Sequence, residues 1–487
     1  MHLIQQHTLD ISCTSLDFGK EVQRILLPLL EKEFYPKLEL LLNLYSFQNY
    51  TWKIDKLEII LPTLSRKKWR EEIVAHSLEQ IESYLRLHFE NLEQNHLIIE
   101  NSPVVFTKET IIENLFFDFL QKGIIPENGL VKNLEDLIAE LEVNPSFIQK
   151  LKETFIENPK ALIRFINAFP KEFKSKIVSQ IDESQSEFIA LLQFALASKP
   201  NSFSSTAIES WIEFMSWQFY FFKEKATSST TFYQTVKTVS SEYWDIETAQ
   251  LLTLNELLNE AKNLRKKHIL LQNNDFVAFL NILLNALNPL SLTTESITEE
   301  TKSLEIQKRT ELETPHSKAD NLIYVENAGL ILFHPFLKSL FEQLDLTKND
   351  LWTTKISQHK AILLTQFLIN GETKIGENEL VLNKILCGFP IENVVNTQLE
   401  ITPKEIEKCE SLLNAVIEYW KILGDTSIAG LRETFLKRKG KILLTESEKL
   451  ELWVKQEGVD ILLTQLPWGI EMIKTPWMED FLQCYWN

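Results

Sequence analysis

Glycine is scarce in this sequence, at 12 of 487 residues, and cysteine is scarcer, at 4. Few glycines beside many Leu, Ile, Glu, Lys and Phe favour a mostly helical chain. Cys13, Cys387, Cys409 and Cys484 are scattered with no close pair. That spacing suits a reducing cytoplasm and excludes a disulfide scaffold. Positive charge is also in deficit, with 50 Lys and Arg against 68 Asp and Glu and a net charge of −18. An acidic chain lacks the cationic surface that neutralises nucleic-acid phosphates or docks on anionic lipid, so neither partner is expected. No run reaches the roughly 18 uncharged apolar residues of a membrane span. The opening MHLIQQHTLDIS shows no basic region followed by an apolar stretch, so no secretory leader is expected. The expected location is cytoplasmic, without membrane insertion.

What is present is core material. Hydrophobic residues make up 44% of the chain, with 30 Phe and 11 Trp. At this length a division into two to four domains is expected. The pattern predicts a mostly α, multidomain α+β protein. Residues 1–100 form an N-terminal α/β module, 101–285 a helical middle domain, 286–322 a polar linker and 323–487 a C-terminal α+β domain.

In the first of these, Leu3, His7, Leu9, Ile11 and Cys13 alternate as a half-buried strand requires. A helical face from Val22 to Leu42 follows, interrupted by Pro28 and Pro36. Tyr50 to Leu61 alternates again, with a bulge at Asp55-Lys56. A helix capped by Ser65 then carries Trp69, Ile73, Leu78 and Ile81. The predicted order of the module is β-α-β-α. In the middle, two segments open with Asn-Pro, an N-cap acceptor followed by proline at the first helical position. The aromatic run WIEFMSWQFYFF, interrupted by Glu213, is expected to be a buried helix rather than a membrane wedge. Residues 281–323 contain no aromatic and no clean periodicity, and are expected to be a loosely ordered linker.

The C-terminal domain is expected to begin with a helix near Asn327, bent by Pro335. Two further helices should stop at Gly371 and before Pro390. In TPKEIEKCESLLNAVIEYWKILG, Thr402 reads as N-cap, Pro403 as N1 and Glu405 as the far side of a capping box. Thr426 is expected to cap the next helix. A β-hairpin over 441–455 and short terminal strands then close the domain. Near the end, LPWGIEMIKTPWM places Pro467-Trp468 and Pro476-Trp477 nine residues apart. Proline fixes φ and cannot donate to a strand ladder, so it belongs where strands begin and stop. Trp468 and Trp477 are expected to pack at the rim of the domain, and both are candidate protein-contact residues.

The usual chemical motifs are missing. GETKIGEN (371–378) has two glycines at P-loop spacing, but Glu377-Asn378 stands where Lys-Ser/Thr is required. There is no HExxH, CxxC, GxGxxG or GxSxG. The nine histidines are dispersed, and no metal or cofactor site is expected. His334 and Cys387 lie in apolar runs, where a packed His and an inert Cys are the ordinary outcome. No catalytic residue is assigned. Arg66, Lys67, Lys68 and Arg70 crowd a helix N-terminus, where cations are mildly unfavourable, and are candidate contacts for an acidic protein. The competing reading is a solvated face answered by Glu71 and Glu72. Lys437, Arg438, Lys439 and Lys441 are expected to complement the dipole of a helix they end.

One ordered series of blocks carries a resemblance. NAGLILFHPFL (327–337), LVLNKILCGFP (380–390), LLNAVIEYWKIL (412–423), GLRETFLKRKGKI (430–442), LPWGIEMIKTPWM and Trp486 resemble the C-terminal region of contractile injection system tape measure proteins. KIDKLEIIL near the start is similar to that family's opening module. The resemblance implies a structural, non-enzymatic role in a phage-tail-like particle, setting the length of the inner tube. Its implied partners are the tube, the baseplate or spike, and the cap proteins of the same particle, with self-association left open. A soluble helical adaptor or chaperone for particle assembly or cargo loading is the alternative.

Overall fold

A computed structural model describes residues 2, 4, 7–46, 50–54, 56–93, 104–126, 130–131, 133–181, 210–211, 213–215, 217, 238–244, 322–444 and 449–486. The fold is mostly helical, with a C-terminal sheet. The described residues fall into two compact units: those up to Asn114 with 130–141, and Leu115–Pro126 with those from Glu142 onward. The expected linker over 286–322 lies, except for its last residue, outside the described residues.

In the first unit, helix α1 (Leu16–Leu29) is capped by the Ser15 hydroxyl, which accepts from the Phe18 N–H. Pro28 and Pro36 are accommodated by a π-helical turn, Leu30–Phe34, that leads into α2 (Tyr35–Leu44). Val22, Leu29, Leu30, Phe34 and Leu38 bury one face against Trp69, Ile73, Val74, Ile81 and Leu85 of α3 (Trp69–Glu93). The described residues do not show the β-α-β-α order. The described residues of the Leu3–Cys13 segment make no strand, and Leu9 and Ile11 are exposed. Alternation marks an extended backbone, but a strand also needs a ladder partner, and the described residues of this segment join no sheet. His7 instead rests on the helices, its Nδ1 3.0 Å from the Tyr35 hydroxyl.

The second predicted strand is shorter than expected. β1 (Tyr50–Lys53) pairs antiparallel with β2 (Val104–Thr107). Beyond it Leu57, Ile59 and Leu61 are half-buried while Lys56, Glu58 and Ile60 are exposed, again without a ladder. Asp55, half of the expected bulge, lies outside the described residues. Ser65 acts differently from a side-chain cap: its N–H donates to the Glu72 carboxylate at 2.7 Å.

The second unit starts from helices α4 (Lys108–Lys122, from Leu115 on), α6 (Pro145–Glu157), α7 (Pro159–Ala168) and α8 (Lys171–Ile181); α5 (Leu134–Glu140) belongs with the first. Asn144 and Asn158 cap α6 and α7 with proline in the first turn, as the two Asn-Pro pairs predict. Between these helices lies an aromatic core. Phe116 meets Phe147 and Phe169 at 5.1 Å, and Phe165 meets Phe169 at 5.2 Å. Trp211, Phe214, Met215 and Trp217 are buried, as expected of a core helix, and residues 218–222 of that run lie outside the described residues.

Residues 322–486 build a five-stranded sheet with helices on one face. The order is β3 (Leu322–Val325), β6 (Gly440–Leu444), β7 (Leu450–Val454), β9 (Leu482–Tyr485), β8 (Met472–Ile473). All neighbours are antiparallel except β7 and β9, while β4 (Thr347–Lys348) and β5 (Leu351–Trp352) form a separate hairpin. The inward positions Val325, Ile442, Leu452, Val454, Ile473, Leu482 and Cys484 are buried. They pack with α9 (Leu337–Gln343), α10 (Lys355–Asn370), α11 (Val381–Leu386) and α12 (Pro403–Tyr419) in a single core.

The capping box of Thr402 and Glu405 forms as predicted, and Gly371, at φ +74°, ends α10. The helix expected at Asn327 is a 3₁₀ segment, Ala328–Phe333, separated from α9. A Cβ on Gly329 would lie 1.9 Å from the Phe435 carbonyl oxygen, so the two backbones pack too closely for other residues. Ser427, not Thr426, caps α13 (Ile428–Leu431), and Gly440 opens β6.

Candidate functional site

The cations expected at the α3 N-terminus are exposed. Arg66 lies over the Phe18 ring at 5.0 Å, and Arg70 pairs with Glu21 at 3.3 Å. Lys67 and Lys68 are exposed beside them. Each of these contacts sits at a surface, where an ion pair contributes little.

The two Pro-Trp corners flank β8 and are half-buried. Trp468 stacks on Tyr419 at 5.7 Å and meets Phe336 edge-on at 5.0 Å. Trp477 packs against Trp352 at 4.7 Å and Phe341 at 5.3 Å. Its backbone is fixed from the other side by Gly388, at φ +59°, where a Cβ would lie 1.9 Å from the Trp477 carbonyl oxygen. The structure therefore holds the two tryptophans in separate aromatic groups.

Arg432 donates to the carbonyls of Leu368 (3.0 Å) and Phe367 (3.1 Å), closing the last turn of α10 beside Gly371. Glu377 turns inward to a charge centre that sequence patterns missed. Arg164 on α7, Glu377 and Lys384 on α11 are all buried. Arg164 Nε donates to Glu377 Oε2 at 3.1 Å and Nη2 to Oε1 at 3.3 Å. Lys384 Nζ donates to Glu377 Oε1 at 2.8 Å and to the carbonyls of Ile391 (2.9 Å) and Asn393 (2.7 Å). Arg164 also donates to the carbonyls of Leu120 and Glu392. Gly123, left-handed at the end of α4, leaves the space this guanidinium fills. Two cations share one carboxylate here, and burial pulls the Lys384 ammonium below its ordinary range against the attraction of Glu377. A signal did exist: Arg164 and Lys384 interrupt the apolar runs ALIRFINAF and LVLNKILCGF. Their common partner, 213 residues from Arg164, had none.

Neighbouring polar contacts join the same parts of the chain. The Asn396 amide N–H donates to His359 Nδ1 at 2.8 Å, and Asn396 Nδ2 to the Tyr243 carbonyl. Gln398 Nε2 donates to the Asn167 carbonyl at 2.9 Å. Burial lowers the His359 pKa to about 4, so it is neutral at pH 7 and free to accept. Arg438, expected to complement the dipole of a helix it ends, is buried. It forms a bidentate pair with Asp460 at 2.7 and 2.9 Å and lies over Trp486.

His334 holds the Ile331 carbonyl at 2.8 Å, and burial lowers its pKa. Cys387 is fully buried, which pushes its thiol well above the usual range and keeps it protonated. Among the described residues no group of three or more His, Cys, Asp or Glu is placed to hold a metal ion. No described helix is long and apolar enough to cross a membrane.

Polar groups thus fasten distant segments of the second unit together, and aromatic groups flank β8. Over residues 1–486 the chain matches the family of the contractile injection system tape measure protein, and it belongs to that family. Comparison with curated proteins and with solved structures returned no match. Membership gives the chain a structural role in the assembly of a phage-tail-like particle.

Proposed function

We propose that the second unit is the folded anchor of this tape measure protein, seated on a tube, baseplate, spike or cap component and keeping its core through assembly. The observation that carries this is the Arg164–Glu377–Lys384 centre. It ties helices that precede residues 182–321 to helices that follow them. Opening it would leave buried charges to be separated and a large apolar core exposed. A fully helical chain of this length would span about 730 Å, and the anchor withholds much of it from any extended form. The role is assembly without catalysis.

The test is an insertion of about 70 helix-forming residues at position 300, between two segments that the centre holds together. Electron microscopy should show inner tubes of unchanged length. Tubes longer by about 105 Å would mean that the unit opens and threads, and would end the anchor reading. A protein absent from purified particles would transfer the assignment to a soluble adaptor or chaperone.

A further inference from the structure

The sheet of the second unit has an outward face whose composition differs from the rest of the chain. Strand register aligns Tyr324 with Lys441, Lys441 with Trp453, and Trp453 with Tyr485, one row across four strands. Trp453 and Tyr485 stack at 4.1 Å with their planes 22° apart, and the Lys441 ammonium lies 6.0 Å from the Trp453 ring centre. Trp453 is 41% exposed and Tyr324 38%. In the next row Leu322, Leu443, Glu451, Gln483 and Met472 point the same way, with Met472 exposed.

The charges on this face are unequal. Glu451 accepts from the Trp453 indole N–H at 3.0 Å, and Glu326 answers Lys439 at 3.1 Å. Lys441 and Lys455 are exposed and have no carboxylate partner among the described residues. A chain carrying −18 overall thus presents a cationic, aromatic face. Stacked rings offer rigid contact area at low entropic cost, and adjacent unpaired ammonium groups select negative charge.

We propose that this face docks an acidic segment of another protein of the particle. Carboxylates of that segment meet Lys441 and Lys455, and an aliphatic or aromatic side chain lies on the Trp453–Tyr485 pair. The proposal rests on the anchor reading for the source of the partner.

Purified particles treated with a zero-length carbodiimide, which joins lysine to carboxylate, provide the test. Mass spectrometry should find Lys441 and Lys455 joined to Asp or Glu of one segment of a different particle protein. In the full-length chain, Lys441→Glu with Lys455→Glu should keep the wild-type unfolding midpoint and reduce copies per particle by about tenfold, equivalent to about 1.4 kcal/mol. Trp453→Ser should lower incorporation in the same direction. Crosslinks confined to this chain or to a second copy of it would overturn the proposal, as would normal incorporation of the charge-reversed chain. Lengthened tubes in the insertion experiment would overturn the anchor reading while leaving these crosslinks readable, so the two failures are separable.

Discussion

The two units use similar residues in different ways. In the first, α1 to α3 bury one face, while Leu27, Leu40, Leu44 and Ile60 remain exposed. Its ion pairs, such as Arg70–Glu21 and Lys108–Glu140, lie at the surface. In the second, α10 is buried along most of its length, and charges enter the core. An amphipathic helix needs only a partner on one side, and its pattern is local. A helix buried all round must satisfy any charge it carries, and the partner comes from wherever the fold brings the chain. Position along the sequence therefore predicts little about which ion pairs matter, and burial predicts much.

The largest expected effect breaks the second unit alone. Glu377→Ala leaves Arg164 and Lys384 as uncompensated buried cations and should cost about 3–5 kcal/mol in urea unfolding. Amide exchange should rise in α7 and α11 while α1 to α3 keep their protection. A cost under about 1 kcal/mol would mean that the centre behaves like a surface pair. An apolar triple replacement of Arg164, Glu377 and Lys384 should recover or exceed wild-type stability, because it removes the desolvation cost along with the attraction.

A second effect comes from His359. Its folded pKa, about 4, lies below the ordinary imidazole value of about 6.5, so protonation favours the unfolded chain. Its contribution is intact above about pH 6.5 and is lost as pH falls toward 4. The loss should reach about 3 kcal/mol for the second unit. His359→Phe should flatten that part of the pH–stability curve. An unchanged slope in this variant would assign the acid sensitivity to other groups.

The smallest effect belongs to the first unit. Arg70→Ala removes an exposed pair and should change stability by less than about 1 kcal/mol, with the remainder screened by salt. A loss several times larger, persisting at high salt, would erase the contrast between the units.

Local signals were the legible ones. Asn144-Pro145, Asn158-Pro159, the Thr402–Glu405 capping box and the Gly371 stop are each closed by residues within a few positions, and each forms as its sequence predicts. Alternation was less informative. It placed the pairing of β6 and β7 correctly, because strands so close in sequence readily find each other. It misplaced the Leu3–Cys13 segment, whose described residues join no sheet. The basic run at 437–441 looked uniform, yet its members diverge: Arg438 is buried on Asp460, and Lys441 faces outward on the sheet. Three positions separate these fates, and which side chain faces the core is set by packing.

By itself, the sequence determined the helical character, the caps at Asn144, Asn158 and Thr402, the stop at Gly371, and the family, the last through ordered blocks spread along the chain. Those depend on neighbours in the chain and on patterns that need no third dimension. Only the tertiary structure decided that Arg164 and Lys384 share Glu377, that Gly123 and Gly388 are spacers for a guanidinium and a tryptophan backbone, and that one row of the sheet is aromatic and cationic. The reason is physical. A buried charge or a close backbone approach is defined by its surroundings, and here those surroundings are assembled from segments as many as 228 residues apart.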